Sequence, residues 1–520
     1  MTTHDDGCPH PTHSGCCGCT RESHETGFSR REFLKAGSLA LGGVALAGCA
    51  EAVLRDAGAG VQMPPARKPL VVKPILMHDL PKPRPKSSWR SWGGVQTPEA
   101  AKEETARIAG ELEKVRTGAD FPLTVLPVSV IRGPADLGKM ADLAGADTVI
   151  IYAAGGGSNS FDAIAKTGKH VIFFMRHKSG PVYLWYEIIS PRYLRRHTDT
   201  LAVKGMDFDD VVVDSTDELA WRLRALCGLK NTLGARIIAI GGAGGWATRE
   251  APNLARDRFK LDIQTVSYPE LSKLIQAARG DKTAVETARA RAAAYLKAPG
   301  VSLETKKEYV ENCFLLDQVF RAIMKQADAP AITVNSCMGT IMPIAETTAC
   351  LTLSLLNDDG YLAFCESDFV VVPSGILLGN IAGRPVFLND PTYPHDGVIT
   401  LAHCTAPRRN DGRTLDPVRL VTHFESDYGA APKVEMRKGQ QVTNIIPDFK
   451  AERWVGYVGE IVDVPFMAIC RSQIDVGHTF DDALLAERMP GFHWMTCYGD
   501  YRRELGYALK KIPIAWEQLG

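Results

Sequence analysis

The chain has 520 residues, and its 60 lysines and arginines balance its 60 aspartates and glutamates, so the formal net charge is zero. This length exceeds what one hydrophobic core normally serves, and it predicts two or three domains. A balanced charge gives no long-range field that would attract nucleic acid or acidic lipid, so we expect a small polar partner and no nucleic acid. No apolar run approaches the roughly 20 residues that a membrane-spanning helix needs.

The N-terminal segment has the pattern of an export signal. Arg30 and Arg31 stand in the sequence SRREFLK, which precedes a short, moderately apolar stretch at residues 36–48. This combination is typical of a twin-arginine signal, which directs a folded protein to the twin-arginine translocase. We therefore expect a signal peptide at residues 1–49 and export to the periplasm or cell envelope.

The end of this signal carries a cysteine. The sequence LAGC ends at Cys49 and resembles a lipobox, in which the thiol is acylated and becomes the first mature residue. A lipid anchor on Cys49 would hold the protein at a membrane. The alternative is an ordinary cleavage site after Ala47 or Ala50.

Changes in the sequence pattern divide the rest of the chain. Residues 50–70 are rich in Ala, Gly and Pro and predict a linker. Residues 71–204 and residues 205–385 each alternate apolar runs with helical segments, which predicts two α/β domains with parallel sheets and crossover helices. Residues 386–520 contain short strands separated by turns, so we expect a β-rich C-terminal domain.

Two glycine-rich turns follow predicted strands. Residues 242–247 fit the pattern G-x-G-x-x-A, and Asp262 follows about 20 residues later, as the ribose-binding acid of a dinucleotide site would. The next segment contains Pro252 and is a poor first helix for holding a pyrophosphate, so we favour a plain strand-to-helix turn. Residues 155–159 could line the mouth of a pocket at the carboxyl ends of the strands.

Four positions at the ends of short apolar runs carry potential metal ligands or their neighbours, and a sheet can hold such side chains rigidly. Glu366, His403 and His493 supply one carboxylate and two imidazoles, which suit a divalent metal ion. The fourth position holds Asn389. Its amide can ligate a metal through the carbonyl oxygen, but it cannot carry a proton.

Eight cysteines follow Cys49, and most of them lie in apolar runs, where a thiol is usually a small buried hydrophobe. A protein that folds before export does not need disulfides to fold. One pair among Cys337, Cys350, Cys365 and Cys404 remains possible, and the sequence does not assign it.

Six short sequence blocks occur in order through the second half of the chain. They are ACL to LLNDDG at 349–360, CESD at 365–368, AHC at 402–404, CRSQ at 470–473, GFH at 491–493 and YGDY at 498–501. Through these blocks the chain resembles the fucose isomerase and arabinose isomerase superfamily, and within it the fucose isomerase-like sugar isomerases. The resemblance covers about residues 205–520, and the N-terminal domain fits it only through its α/β pattern.

The resemblance implies an α/β protein with two Rossmann-like parallel-sheet domains and a barrel-like C-terminal domain. It implies an aldose-ketose isomerase with a divalent metal of the Mn²⁺ type, a small sugar substrate, and a homo-oligomer that is a trimer or a hexamer. By position, Glu366 resembles the first metal-binding carboxylate, His403 an additional imidazole ligand and His493 the C-terminal ligand. The family's second acid falls at Asn389, and the adjacent Asp390 would point the other way on an extended chain.

Isomerisation through an enediol needs a base for the carbon proton and an acid for the carbonyl oxygen, and two carboxylates normally divide this work. A metal ion can bind both sugar oxygens and stabilise the enediolate charge. With an amide at Asn389, Glu366 would have to work with a metal-bound water, with Asp368 or with Asp390. Alternatively, the activity is lost or changed. The catalytic candidates are therefore Glu366, Asn389 and Asp390.

Asp368, His423 and Arg471 are the candidates for substrate contacts in the pocket wall. Two hypotheses about function follow. The first is an exported, metal-dependent sugar isomerase-like protein, or a related epimerase or lyase that uses the same enediol chemistry. The second is a non-catalytic, lipid-anchored sugar-binding or accessory protein on the isomerase fold. The amide at Asn389 favours the second hypothesis, and the three retained metal ligands favour the first.

Overall fold

The computed structural model describes residues 61–185 and 206–520. The described residues all belong to one compact unit. Three predicted residues of the export signal and acylation site lie outside the described ranges: Arg30, Arg31 and Cys49.

The N-terminal part of the described chain is a parallel sheet with flanking helices. Its strands are β1 (Leu70–Met77), β2 (Leu123–Val125), β3 (Ser129–Ile131), β4 (Thr148–Ala153), β5 (His170–Met175) and β6 (Val211–Val213). Its helices are α1 (Pro98–Gly118), α2 (Ser158–Ala165) and α3 (Thr216–Thr232). The strand order is β2-β1-β4-β5-β6, with β3 also paired to β1, and every pairing is parallel. Strands β1, β4 and β5 are almost wholly buried, as expected for a parallel sheet that is covered on both faces.

A second parallel sheet follows in the order β11-β10-β7-β8. Its strands are β7 (Arg236–Ile240), β8 (Asp262–Val266), β10 (Ala331–Val334) and β11 (Leu362–Cys365). The helices of this region are α4 (Ala251–Phe259), α5 (Tyr268–Gly280), α6 (Lys282–Leu296), α7 (Lys307–Ala327), α8 (Cys337–Ala345), α9 (Cys350–Asp358) and α10 (Val372–Ala382). The short strand β9 (Val301–Leu303) lies between α6 and α7 and belongs to another sheet.

Helix starts in both regions follow local sequence signals. Thr97 caps α1 by accepting a hydrogen bond from the Ala100 backbone N–H at 3.1 Å, and Pro98 occupies the first helical position. Ser267 and Glu270 form a reciprocal capping box at the start of α5. These caps satisfy backbone donors that the helices cannot pair internally.

The C-terminal region is a closed antiparallel barrel. Its six strands are β12 (Phe387–Pro391), β13 (Val398–His403), β16 (Gln441–Pro447), β17 (Arg453–Asp463), β18 (Ser472–Gly477) and β19 (Trp494–Tyr498). They pair in the order β16-β19-β12-β13-β18-β17, and the pairing of β16 with β17 closes the barrel. Strand β20 (Ala515–Gln518) adds in parallel beside β17. Strands β14 (Val418–Val421) and β15 (Ala431–Val434) form a separate three-stranded sheet with β9, and helices α11 (Asp482–Arg488) and α12 (Arg502–Lys511) complete the chain.

This layout confirms the predicted α/β fold with a β-rich, barrel-like C-terminal region. Within the described ranges, no single helix has the length and apolar character to cross a membrane. Helices α8 and α9 together reach that length and composition, but they are bent by 90° relative to each other.

Helix α10 connects the second sheet to the barrel, and all of its residues are buried. At Gly375 an added Cβ atom would lie 2.6 Å from the Phe364 ring of β11 and 2.7 Å from the Met495 side chain of β19. The absence of a side chain therefore lets the helix pack closely between the last strand of the sheet and a strand of the barrel. This packing fixes the ends of β11, β12 and β19 relative to one another.

Candidate metal centre

Acidic and imidazole side chains meet where the second sheet faces the barrel. Glu366 directly follows β11, Asp390 lies near the end of β12, and His403 is the last residue of β13. One ligand atom from each of these three residues lies within 4.8 Å of the other two. Two carboxylates and one imidazole at this separation can hold a metal ion.

His493, just before β19, contacts both carboxylates. Its Nε2 atom lies 3.0 Å from Glu366 Oε2 and 3.2 Å from Asp390 Oδ1. Its Nδ1 atom is hydrogen-bonded to Asp368 Oδ2 at 2.7 Å. A carboxylate behind an imidazole fixes the orientation of the ring and leaves the other nitrogen directed at a metal position. Asp368 is 2% exposed, so water competes little for this bond.

The turn that carries Glu366 has an unusual backbone. Glu366 and Ser367 both have positive φ, at 67° and 52°, a conformation that costs on the order of 1–3 kcal/mol per residue. The surrounding hydrogen bonds hold it. The Ser367 backbone N–H donates to Thr333 Oγ1 at 3.1 Å, and the Ser367 hydroxyl donates to the Gly242 carbonyl at 2.8 Å. The strained turn therefore aims the Glu366 carboxylate from a rigid base.

The glycine-rich turn after β7 supports this loop. The Gly244 N–H donates to the Ser367 carbonyl at 3.1 Å, and the Phe369 N–H donates to the Gly244 carbonyl at 3.0 Å. Helix α4 begins only at Ala251, so no helix N-terminus stands directly behind the turn as a pyrophosphate site requires. The turn thus holds the Glu366 loop, in agreement with the interpretation as a plain connection.

The pKa values of His493, His403 and Glu366 depend on one another. Burial would lower the pKa of His493, but its hydrogen bonds to Asp368, Asp390 and Glu366 outweigh burial and raise the pKa to about 12. Burial likewise opposes the charge on His403, yet Glu366 and Asp390 raise its pKa to about 9. Burial would raise the pKa of Glu366, and the two imidazoles instead hold it below its usual range. The cluster therefore attracts positive charge strongly.

Two buried atoms of the cluster, Glu366 Oε2 and His403 Nε2, lack a hydrogen-bond partner. His403 Nε2 is buried without one and lies 3.5 Å from Glu366 Oε1, while its Nδ1 is hydrogen-bonded to Thr405 Oγ1 at 3.1 Å. A bound divalent cation would satisfy this nitrogen and replace protons as the positive charge between the carboxylates. The donor set therefore fits a metal ion.

Asn389 is placed differently from the sequence expectation. Its side chain is 0% exposed and its Nδ2 donates to the Phe387 carbonyl at 2.9 Å and to Thr496 Oγ1 at 3.0 Å. Its cross-strand partner in β19 is Trp494, a fully buried residue of the barrel core. The amide nitrogen is thus bonded within the barrel wall, and the amide oxygen Oδ1 is buried without a hydrogen-bond partner. The second carboxylate of the cluster comes from Asp390.

The expectation that Asp390 points away from the site is therefore wrong. The assignment of Asn389 to the family's second acid position stays a prediction. Adjacent residues on a strand face opposite sides, so an error of one residue exchanges the buried side chain for the one at the site. The catalytic candidates that the structure brings together are Glu366 and Asp390.

The remaining predicted contacts lie around the cluster in different ways. Asp368 orients His493. His423 is 7% exposed, and burial followed by the charge of His403 lowers its pKa to about 4. Arg471 donates from Nε to the Thr422 carbonyl at 2.7 Å, and this bond turns part of its guanidinium toward the protein backbone. These positions make His423 a wall residue close to His403.

Two features were not anticipated from the sequence. Thr405 fixes the ring of His403 through the hydrogen bond described above, and no sequence signal identifies it. Trp246 lies in the glycine-rich turn, is 51% exposed, and its ring centroid is 5.6 Å from that of His493. An aromatic residue within an otherwise small-residue turn was the available signal.

All eight described cysteines are free thiols. Cys350 and Cys404 pack together in a small buried cluster, and Cys470 packs against them. None of the pairs considered from the sequence forms a disulfide in the described part of the chain. The cluster adjoins His403 through Cys404, its neighbour in the chain.

No protein-family model matches the chain, and no curated protein matches it. Among solved structures, the chain is similar to an ABC transporter periplasmic solute binding protein from Actinobacillus succinogenes 130z with bound D-allose. The identity is 14%, the match covers 61% of this chain and 92% of that chain, and the TM-score is 0.15. A similarity at this level carries no argument about function.

Proposed function

We propose that this protein is a metal-dependent aldose-ketose isomerase, or a close relative, that acts on a small sugar through an enediol. The observation that carries the proposal is the convergence of Glu366, Asp390 and His403 within 4.8 Å. His493, oriented by Asp368, completes the set as a further ligand. Mn²⁺ is the proposed ion, because mixed carboxylate and imidazole ligands suit a divalent cation of this kind.

The reaction moves two protons between neighbouring atoms of an open-chain sugar. The proton on C2 is transferred to C1, and the proton on the C2 hydroxyl is transferred to the C1 oxygen, so an aldehyde and an alcohol become an alcohol and a ketone. Each transfer needs a group that first accepts a proton and then returns it. When bound, the metal ion supplies electrostatic stabilisation of the negative charge on the two oxygens.

The two carboxylates differ in a way that suits these two transfers. The Asp390 side chain is 39% exposed and the Glu366 side chain is 24% exposed. We assign the carbon proton to Asp390, which is the more accessible to a substrate, and the hydroxyl proton to Glu366. Glu366 is held ionised by the neighbouring imidazoles, which lower its pKa, so it can accept a hydroxyl proton only transiently.

The alternative of a non-catalytic sugar-binding or accessory protein rested on the amide at Asn389. Because that amide lies in the barrel wall and Asp390 stands in the cluster, this support is lost. A related epimerase or lyase would use the same pair of carboxylates and remains the second candidate. An epimerase would return the proton to the same carbon from the opposite face, and a lyase would break a bond next to the enediolate.

The sequence motifs extend the proposal to the cellular setting. The twin-arginine pattern supports export of the folded, metal-loaded protein, and Cys49 supports a lipid anchor in the periplasm or cell envelope. The resemblance to sugar isomerases supports a homo-oligomer, either a trimer or a hexamer.

The deciding experiment measures proton exchange at C2 of pentoses, hexoses and deoxyhexoses in heavy water with Mn²⁺ supplied. Wild type should exchange the C2 proton and form ketose from at least one sugar. Asp390→Asn and Glu366→Gln should each lower the rate by about 100-fold or more, because each removes a positioned proton acceptor. Measurable sugar binding without proton exchange would reject the isomerase proposal and favour a non-catalytic sugar-binding protein. Exchange that survives in the double variant would refute the assigned roles.

A further inference from the structure

An aromatic rim borders the metal centre. Trp246 and Phe492 are 51% and 39% exposed, and their ring centroids are 5.7 Å apart with an interplanar angle of 76°. Phe449 continues the row, with its centroid 6.2 Å from that of Phe492. Large apolar side chains that are exposed beside a half-buried polar cluster are typical of a binding surface.

Trp246 adjoins the reactive groups directly. Its ring meets the His493 ring nearly at a right angle, with centroids 5.6 Å apart and an interplanar angle of 88°. The Nε2 atom of that imidazole contacts Glu366 and Asp390. A molecule of monosaccharide length held between these carboxylates would therefore extend over the exposed part of the indole.

The backbone around Trp246 is held by the same contacts that hold the metal ligands. Gly244, two residues earlier, exchanges hydrogen bonds with Ser367 and Phe369 on either side of Asp368. At Gly245 an added Cβ atom would lie 2.3 Å from the Thr248 carbonyl oxygen, so the turn is too tight for any side chain at that position. The indole and the carboxylates are consequently parts of one rigid arrangement.

We propose that Trp246 is the platform on which the substrate lies, and that the substrate is an uncharged sugar. This inference rests on the proposed function. The C–H groups of a sugar carry a small positive partial charge and are attracted to the negative face of an aromatic ring. Glu366 and Asp390 flank the metal position, with Asp368 behind His493, and a phosphate or carboxylate on the sugar would meet like charge from the two flanking carboxylates.

The test uses the full-length protein loaded with Mn²⁺ and measures sugar binding by calorimetry. The panel contains neutral aldoses and the corresponding sugar phosphates. Trp246→Ala should raise the Kd of the neutral sugar about tenfold, from the loss of ring contact and buried apolar area. Trp246→Phe should retain most of the affinity, because a ring remains. The KM for exchange should rise with the Kd while kcat changes little, since Trp246 carries no proton.

Two controls separate this role from a structural one. The Mn²⁺ affinity of Trp246→Ala should equal that of wild type, which shows that the Glu366 turn is intact. Phe208→Ala removes an exposed ring, 63% exposed and outside the cluster, and should leave the sugar Kd unchanged. Phe208 thus controls for the simple loss of an exposed aromatic side chain.

The outcomes are distinct. If Trp246→Ala binds the neutral sugar as tightly as wild type, or if wild type prefers the sugar phosphate, the platform is refuted. If wild type binds a neutral sugar and the Trp246 variant does not, but no C2 exchange occurs, the platform stands and the isomerase proposal fails. If wild type binds no sugar from the panel, both are rejected.

Discussion

Replacing Asn389 by aspartate tests directly which of two adjacent residues faces the metal. The Asn389 amide is fully buried, and its Nδ2 donates hydrogen bonds to the Phe387 carbonyl and to Thr496 Oγ1. The Thr496 hydroxyl is itself committed as a donor to Asn444 Oδ1 at 2.7 Å. A carboxylate at position 389 would therefore face the Phe387 carbonyl, which has no proton to offer, and the Thr496 hydroxyl, whose proton is already donated to Asn444.

This geometry sets the size of the effect. An unpaired buried charge costs about 3–5 kcal/mol of folding free energy, unless the new carboxyl group stays protonated. Its pKa in the folded state would then be raised above the unfolded value of about 3.9. At a pH between the unfolded and the folded pKa of this carboxyl group, the folded state holds the extra proton and the unfolded state does not. The loss of folding free energy relative to wild type should therefore grow as the pH rises from 4 to 7.

The assay is urea unfolding of the metal-free protein at pH 4, 5.5 and 7, followed by the increase in melting temperature on adding Mn²⁺. Asn389→Asp should lower the unfolding midpoint and keep the Mn²⁺ response. In its matched neighbour Asp390→Asn, Glu366 and Asp368 still pair with His493, so this variant should lower the midpoint less than Asn389→Asp does and should lose most of the Mn²⁺ response. A stable Asn389→Asp protein with higher sugar turnover would refute the reasoning, because it would place position 389 at the metal.

The remaining predictions concern other parts of the chain. Asp368→Asn should weaken Mn²⁺ binding in a titration about 10–100-fold, because it removes the hydrogen bond that orients an imidazole; unchanged affinity would contradict this role. Burial lowers the pKa of His170 to about 4, so between pH 6.5 and pH 4 only the unfolded state takes up the proton. The free energy of unfolding should therefore fall by up to about 3 kcal/mol as the pH is lowered through this range. His170→Gln should flatten that part of the pH profile of urea midpoints, and an unaltered profile would rule the explanation out. Changing Arg30 and Arg31 to lysine should trap the precursor inside the cell, and Cys49→Ser should release the mature protein from the membrane fraction. Unprocessed wild type in the cytoplasm would reject both parts of the export prediction.

The layers of the fold could be read from the sequence because they depend on local patterns. Apolar runs such as Thr148–Ala153 and His170–Met175 are long enough, and regular enough, to identify buried parallel strands. The short strands after residue 386 likewise indicated the barrel region. Closure of the barrel could not be read in this way, because it requires Trp494–Tyr498 to pair with both Phe387–Pro391 and Gln441–Pro447, which lie much earlier in the chain.

The site was predictable where one residue alone ends an apolar run. Glu366 follows its strand and His403 ends its strand. Each could therefore be identified without knowing which way the side chain of an adjacent residue points. Asn389 and Asp390 are adjacent polar residues on one strand, and the sequence does not show which side chain faces the barrel core and which faces the metal centre. The contacts with Trp494 and Thr496 make that choice, and they arise from a strand more than 100 residues away.

The central claim is that one divalent ion is held by Glu366, Asp390 and His403, and anomalous X-ray diffraction at the manganese edge from crystals grown with Mn²⁺ tests it most directly. The account predicts one strong anomalous peak within about 2–2.5 Å of a ligand atom from each of these residues, with His493 Nε2 in or next to the coordination sphere. A peak coordinated by the Asn389 carbonyl oxygen, or Mn²⁺ bound only at other residues, would contradict it.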